Sequence, residues 1–399
     1  MISVTEAIGR IVAAFEPNTA ETVPVANCYG RILAESAIAR MSQPPFPVSA
    51  MDGYAVRSAD SLTPGAVLTV IGTAPAGKPF FGHVESGHCV RIFTGGVVPD
   101  GTDSVVIQEN VEQLSETQIR LGVASEPDRN IRRAGLDFSL GDTLVAAGQR
   151  LTARDLSLIA AGDIPELKVH RRPRIAIAAT GDELTPPGAK KNKGEIVAST
   201  GYALAAMVES WGAKANYLGI VPDSEDAISA LPDRARNSDL LVTLGGASVG
   251  DHDLIQKALK ARGLQIDFWK IAMRPGKPLL FGRVGTMPLL GLPGNPVSSI
   301  VCGVLFLKPA IMAMLGETHQ TVRQYARLAS PLAANDSRHD FLRAKLKYQK
   351  DEAFVTPMPI QDSSMLLNLA RADVLIMRPP HAPAVQAGSL VEILSLSDV

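Results

Sequence analysis

Aromatic residues are scarce in this chain, at 5% of its composition, and cysteine is scarcer still, with three. Cys28, Cys89 and Cys302 are odd in number and far apart, which excludes a disulfide framework and a zinc knuckle. The 7 histidines are scattered, which argues against a histidine-based metal site. Net charge is almost missing: Lys+Arg 39 stand against Asp+Glu 40, a balance of −1 that leaves no electrostatic footprint for nucleic acid. Long hydrophobic runs are missing too. The most apolar stretch, Ile300–Leu307, is ended by Lys308-Pro309 and is too short to span a bilayer. The opening segment MISVTEAIGRIVAAF carries Glu6 and Arg10 and repeats Val4, Ile8, Ile11, Val12 and Phe15 at helical spacing. It reads as an amphipathic helix and not as a signal peptide. These features predict a cytoplasmic protein with neither a membrane nor a nucleic-acid partner.

What is present is apolar filling, at 46% of the residues, spread over 399 residues, enough for about two to four domains. The central stretch is Leu240–Asp253, LLVTLGGASVGDHD. Leu240–Leu244 reads as a buried strand, Gly245 and Gly246 stop it, and Leu254–Leu259 reads as a helix. A strand, a glycine turn and a helix start leave backbone N–H groups free for a phosphate or oxyanion, with Ser248 in the turn. Asp251 and Asp253 would repel a bare phosphate, so their use beside one implies a bridging divalent cation. An ordinary strand–helix turn with capping aspartates fits these residues equally well.

Strands and helices alternate from Arg174 onward: strand Ile175–Ala178, loop Thr180–Glu183, helix Tyr202–Trp211, strand Ala215–Val221, helix Ser224–Leu231, then the Leu240 strand. That alternation implies a parallel sheet buried on both faces, with ligands at the carboxyl ends of its strands. Glu183, Asp223 and Asp253 each follow a strand end, so three carboxylates converge on one rim and point to a metal more than to three helix caps. Downstream, Lys270, Arg274 and Lys277 surround a stiff Pro275-Gly276 turn that suits an oxyanion and equally fits a basic surface loop, and Pro296 opens the helix that follows Leu289–Leu292.

The flanks differ in texture. Residues 1–40 read as two helices linked by extended Thr22–Val25, with Leu33 and Ile38 supplying apolar contacts in the second. After Pro44–Pro47, short β-like runs alternate with Gly and Pro turns to about residue 130. The Arg91–Gly96 turn there reads first as a structural hairpin. Helix Thr152–Ala161 carries a variant capping box in Thr152 and Asp155. The last eighty residues alternate as strands. The expected division is therefore a discontinuous mixed α/β outer domain (1–44 and 131–172), an inserted β-rich domain (45–130), a central α/β domain (173–318) and a C-terminal β domain (319–399).

Six motifs in order, SAMDGYAV (49–56), RIFTGG (91–96), TGDEL (180–184), GGASVGDHD (245–253), MRPGKP (273–278) and GLPGNPVS (291–298), resemble the molybdopterin molybdenumtransferases, the bacterial MoeA proteins. They are also similar to the E domain of gephyrin. The resemblance runs over nearly the whole chain. It implies a four-domain, L-shaped α/β multidomain protein with a three-layer molybdopterin-binding-type domain, a β-barrel-like C-terminal domain and a homodimeric state. It implies insertion of molybdenum from molybdate into adenylated molybdopterin, with release of AMP and a requirement for Mg²⁺.

Carried over by position, the resemblance makes Asp52, Glu183 and Asp253 catalytic. It gives Thr94, Asp137, Gly245, Gly246, Ser248, Pro293 and Asn295 to substrate binding, and Arg274, Lys277, Arg343 and Ser363 to molybdate. The metal acids are Glu183, Asp223 and Asp253. Two departures stand out. Ala198, Ser199 and Thr200 replace an Asp-Ser-Asn or Asp-Thr-Asn common in the family, and Arg274 replaces a lysine, a change expected to keep oxyanion binding. The resemblance also suggests as partners the preceding adenylyltransferase and maturation factors of the receiving molybdoenzymes. Two other classes remain open: a nucleotide-phosphoanhydride hydrolase on the same fold, and a non-catalytic gephyrin-like scaffold.

Overall fold

The computed structural model describes residues 1–245, 254–318 and 323–397. The chain forms two compact units. The first comprises Met1–Glu21, Gly30–Ala34 and Val169–Val399, the second Thr22–Tyr29 and Glu35–Lys168. The first 44 residues are thus shared between the units.

In the first unit a six-stranded sheet runs in the order Lys214–Val221, Arg174–Thr180, Leu240–Leu244, Met287–Leu292, Leu280–Val284, Leu264–Trp269. The first four strands are parallel, Leu280–Val284 runs antiparallel to them, and Leu264–Trp269 pairs antiparallel with it and so runs with the first four. Ile175–Thr180 and Leu240–Leu244 are buried at every position, as strands covered on both faces must be. One face packs on Leu204, Met207, Val208, Trp211 and the long helical run after Asn295. The other packs on Ile228, Leu231, Ile255 and Leu259, which completes a three-layer α/β domain. The Val4–Ala13 helix belongs to this unit and buries Val4, Ala7 and Ile11 in its core.

Two helices differ from expectation. The helix expected over Ser224–Leu231 is two short ones, Glu225–Ser229 and Leu231–Arg234, because Pro232 starts a new first turn and cannot continue the old one. The apolar run does not stop at Lys308-Pro309. Helix Pro296–Cys302 passes through a π-helical turn, Gly303–Leu307, into Lys308–Leu315. Pro309 lacks the N–H that would bond four residues back, and the wider turn just before it accommodates that loss. The whole Pro296–Leu315 helix is long and apolar enough by length and composition to cross a membrane, and 83% of its most apolar 18-residue window is buried inside the protein.

C-terminal to it, strands His339–Gln349, Glu352–Pro357, Gln324–Leu328, Leu390–Ser395 and Val374–Arg378 pair in that order, and the last closes on the first. The result is a five-stranded closed barrel filled by Ala326, Leu328, Ala344, Val355, Ile376 and Ile393. Met273–Arg274, from the loop of the central domain, adds in parallel to His339 and Asp340.

The second unit is built on a six-stranded sheet ordered Ser104–Ile107, Gly53–Val56, His88–Ile92, Val67–Ala74, Gln118–Leu121, Val111–Gln113. The Ala153–Ala161 helix starts at the expected Thr152/Asp155 capping box. The second helix expected within residues 1–40 does not form. The extended link expected at Thr22–Val25 is there, as strand Ala20–Pro24, but beyond it the chain forms one 3-10 turn, Val25–Asn27, and a two-residue strand, Ala37–Ile38. Gly30, inside the expected helix, takes φ +71°, a left-handed conformation that interrupts it. Leu33 is buried as expected, but Ile38 is 44% exposed on a two-residue strand.

Candidate functional site

The carboxyl ends of the parallel strands in the first unit open into a crevice of about 670 Å³. Thr180, Glu183, Asp223, Gly245, Pro293 and Asn295 all line it, so three separate sequence motifs meet there. Gly245 takes φ +94°, and a Cβ on it would lie 2.8 Å from the Thr180 carbonyl oxygen. Glycine is therefore demanded by the neighbouring strand as well as by any ligand. Gly246, Ser248, Asp251 and Asp253 lie outside the described residues.

Glu183 and Asp223 do share one rim, as expected. They are joined by Asp182, whose Oδ1 accepts the Asp223 N–H at 2.9 Å. Partial burial pushes the Asp223 carboxyl above its ordinary range, and the negative charges of Asp182 and Glu183 push it further. Crowded hard oxygen donors of this kind suit Mg²⁺. Among the described residues, however, no three His, Cys, Asp or Glu side chains stand close enough together to hold a metal ion. The rim supplies donors of the right chemistry without a closed ligand set.

Ala198, Ser199 and Thr200, where the sequence departs from the family, also line the crevice. Ser199 occupies the N-cap of helix Thr200–Ser210 without a side-chain capping bond.

Two of the residues expected to hold an oxyanion stand next to the crevice lining without being part of it. Pro278, beside Lys277, and Ser364, beside Ser363, both line it. Asn295 Nδ2 donates to Ser363 Oγ at 3.0 Å, and the Val297 N–H donates to the Ser363 carbonyl at 3.2 Å. The barrel loop is thus tied to the start of the helix that ends the sheet.

Arg343 does not line the crevice. It is fully buried, with Nη2 donating to the Asp362 carbonyl at 3.1 Å. Its Nε and Nη1 have no hydrogen-bond partner. Gln361 fixes its backbone, accepting the Arg343 N–H at 3.0 Å and donating to its carbonyl at 2.9 Å. Burial pulls the Arg343 guanidinium below its ordinary range, while Asp362 opposes the shift. Two unmet donors on a buried cation mark a place where an acceptor belongs.

Arg274 and Lys277 flank the Pro275-Gly276 turn as expected, and both are exposed. Gly276 takes φ +108°, and a Cβ there would lie 2.4 Å from Cys302 Sγ. Arg274 is already engaged. Its Nε and Nη2 donate to Asp340 Oδ1 and Oδ2 at 3.0 and 2.6 Å, and Asp340 is 3% exposed. Reading the loop alone missed this partner, 66 residues away, because nothing in a strand's alternation announces which acid meets which base.

The second unit holds its own cluster. Asp52 Oδ1 accepts from the Thr94 N–H at 2.7 Å and from Thr94 Oγ1 at 2.8 Å. These two bonds, with Arg91 adding a smaller pull, hold the Asp52 carboxyl below its ordinary range. The Arg91–Gly96 turn thus holds the MDGY aspartate within the same sheet. Asp137 is exposed and lines a separate cavity of about 470 Å³ with Arg132 and with Gly95, the residue after Thr94.

Fold and site together define a multidomain protein of the molybdopterin-binding α/β class, with an acid-rimmed crevice at the strand ends. Three family models cover most of the chain: the MoeA N-terminal region (domains I and II) over residues 2–162, a probable molybdopterin binding domain over 176–313, and the MoeA C-terminal region (domain IV) over 325–396. The molybdopterin molybdenumtransferase of Nostoc sp. is 34% identical over 383 residues, covering 92% of this chain and 86% of its own. That of Haemophilus influenzae is 37% identical over 302 residues, covering 75% and 74%. A solved structure of a molybdopterin biosynthesis MoeA protein from Pyrococcus horikosii has a TM-score of 0.87 at 29% identity, covering 99% of each chain. The chain belongs to the MoeA family of molybdopterin molybdenumtransferases, and it is a transferase of molybdenum cofactor biosynthesis.

Proposed function

We propose that the strand-end crevice binds adenylated molybdopterin and molybdate together, transfers molybdenum to the dithiolene and releases AMP. The observation that carries this reading is the convergence of the acid rim, the PGK loop and the Ser363–Asn295 link on one crevice. Phosphate oxygens of the substrate lie toward the Gly245 turn and Asn295, which both line the crevice. Lys277, Ser363 and the unmet donors of Arg343 favour a dianion on the barrel side. Arg274 contributes only what Asp340 leaves free. Holding both reactants in one crevice removes much of the entropic cost of a bimolecular step.

Glu183 and Asp223, with Asp253, would hold Mg²⁺. Bound there, the ion would polarise a phosphoryl oxygen and offset the charge of the phosphoanhydride. Asp52, Thr94 and Asp137 belong to the same reaction, and a homodimer in which one chain's second unit serves the partner's crevice is the arrangement the family resemblance favours. The charge balance and the buried Pro296–Leu315 helix support a cytoplasmic location.

The test is incubation of purified protein with adenylated molybdopterin, with and without molybdate, scoring AMP and molybdenum cofactor. AMP release should require molybdate, stop on chelation and return with Mg²⁺. Release independent of molybdate would make the protein a phosphoanhydride hydrolase. Full activity after thorough chelation would remove the metal.

A further inference from the structure

The sheet of the second unit carries a cation whose contacts all fall beside the Asp52–Thr94 pair. Arg91 stands directly opposite Tyr54 in antiparallel register. Its guanidinium lies 5.0 Å from the centroid of the Tyr54 ring and 4.9 Å from that of Phe93. Nη1 donates to the Gly53 carbonyl at 2.9 Å, and Nη2 donates to Gln108 Oε1 at 2.5 Å. Gly53 follows Asp52 and Phe93 precedes Thr94. The Gln108 N–H donates to the Asp52 carbonyl at 3.1 Å, so the third contact also returns to the aspartate.

We infer that Arg91 is a positioning residue: one planar cation fastens the Asp52 turn to the Thr94 turn and so sets where the Asp52 carboxylate points. The backbone around it leaves little slack. A Cβ on Gly53 would lie 2.1 Å from the Val106 carbonyl oxygen, and one on Gly96 2.3 Å from that of Ala74. The strands under both turns are therefore fixed, and the freedom that remains is in the turns themselves. A lysine cannot replace Arg91, because an ammonium has neither the two-donor fork nor a flat face to lie against rings. The role rests on the proposal above that Asp52 serves the reaction.

The test uses full-length protein in four forms besides wild type: Asp52→Ala, Arg91→Met, Arg91→Lys and Gln108→Leu. Two quantities are read on each, the hydrogen-exchange rate of the Thr94 amide and the kcat and KM of molybdate-dependent AMP release. Arg91→Met should speed Thr94 exchange and lower kcat about tenfold or more, as small misplacement of a reacting group does. KM for molybdate should change little. Arg91→Lys should fail to restore either quantity. Gln108→Leu should shift both in the same direction by less, and it keeps the test open if Arg91→Met does not fold. If Thr94 exchange and kcat match wild type in Arg91→Met and in Gln108→Leu while Asp52→Ala is inactive, Arg91 does not position the pair. Restoration by Arg91→Lys would also overturn the inference, since charge alone would then suffice. Undiminished activity in Asp52→Ala with faster exchange in Arg91→Met would leave the clamp standing and sink the role of Asp52.

Discussion

The crevice of the first unit and the Asp52 turn of the second are built on opposite principles. In the first unit polar groups are left in want. Asp223, on the crevice rim, is crowded by Asp182 and Glu183, and Arg343, buried off the crevice lining, has two donors unmet. In the Asp52 turn the carboxylate accepts two bonds from Thr94, and the neighbouring guanidinium is held by two acceptors and two rings. Unsatisfied groups seat something that arrives, because a ligand supplies the missing charge or acceptor. Satisfied groups hold a side chain in one place before anything arrives. The difference separates residues that bind from residues that are aimed.

The sharpest way to break that distinction is Arg343→Met. A buried cation with unmet donors costs stability, and an apolar side chain of similar length removes the cost. The variant should melt no lower than wild type, while molybdate-dependent AMP release falls about a hundredfold, the loss of two charge-assisted contacts of roughly 1.5 kcal/mol each. A large fall in melting temperature would show that Arg343 is there for the fold.

Arg274→Lys should have a smaller effect, though not the near-neutral one expected from the family's commoner residue. A lysine cannot reproduce the fork to Asp340, which is 3% exposed and would keep one contact where it now has two. Thermal unfolding should register a loss of about 1–3 kcal/mol, the cost of an under-satisfied buried carboxylate. Activity should fall only in proportion to the displaced loop.

The mildest change is Thr94→Val, which removes one of the two bonds to Asp52 and keeps the backbone one. Asp52 is an acid whose carboxyl is depressed in the folded protein, so whatever it contributes is present above its ordinary range and lost as pH falls through the depressed value. With Thr94→Val that value rises, and the acid limb of the pH–rate profile should move toward neutral pH. An unmoved limb would mean that Asp52 is not the group titrating.

Much of the first unit was legible from the order of apolar runs and polar turns. Strands Arg174–Thr180 and Leu240–Leu244 are short apolar runs between polar turns, and such runs have few other uses. The placement of Glu183 and Asp223 followed, because acids just past parallel strand ends fall on one rim. The segment after the extended link misled because Leu33 and Ile38 mimic a helical period while Gly30, at φ +71°, interrupts it. Long-range pairs were invisible for a different reason. The Arg274–Asp340 fork and the Arg343–Gln361 clasp depend on strand register inside the barrel, which side-chain alternation does not specify.

The central claim is that one crevice holds two ligands by different groups, the pterin nucleotide at the glycine turn and the oxyanion at the PGK loop. Lys277→Ala tests it most directly, with both constants titrated on the same purified protein. Lys277 is exposed beside crevice-lining Pro278 and reaches no part of the Gly245 turn in sequence. The expected result is a rise of about ten- to a hundredfold in the molybdate concentration for half-maximal AMP release, at ~1.4 kcal/mol per decade, with adenylated-pterin affinity nearly unchanged. Loss of pterin-nucleotide binding with the molybdate dependence intact would contradict the claim and assign the loop to the other ligand.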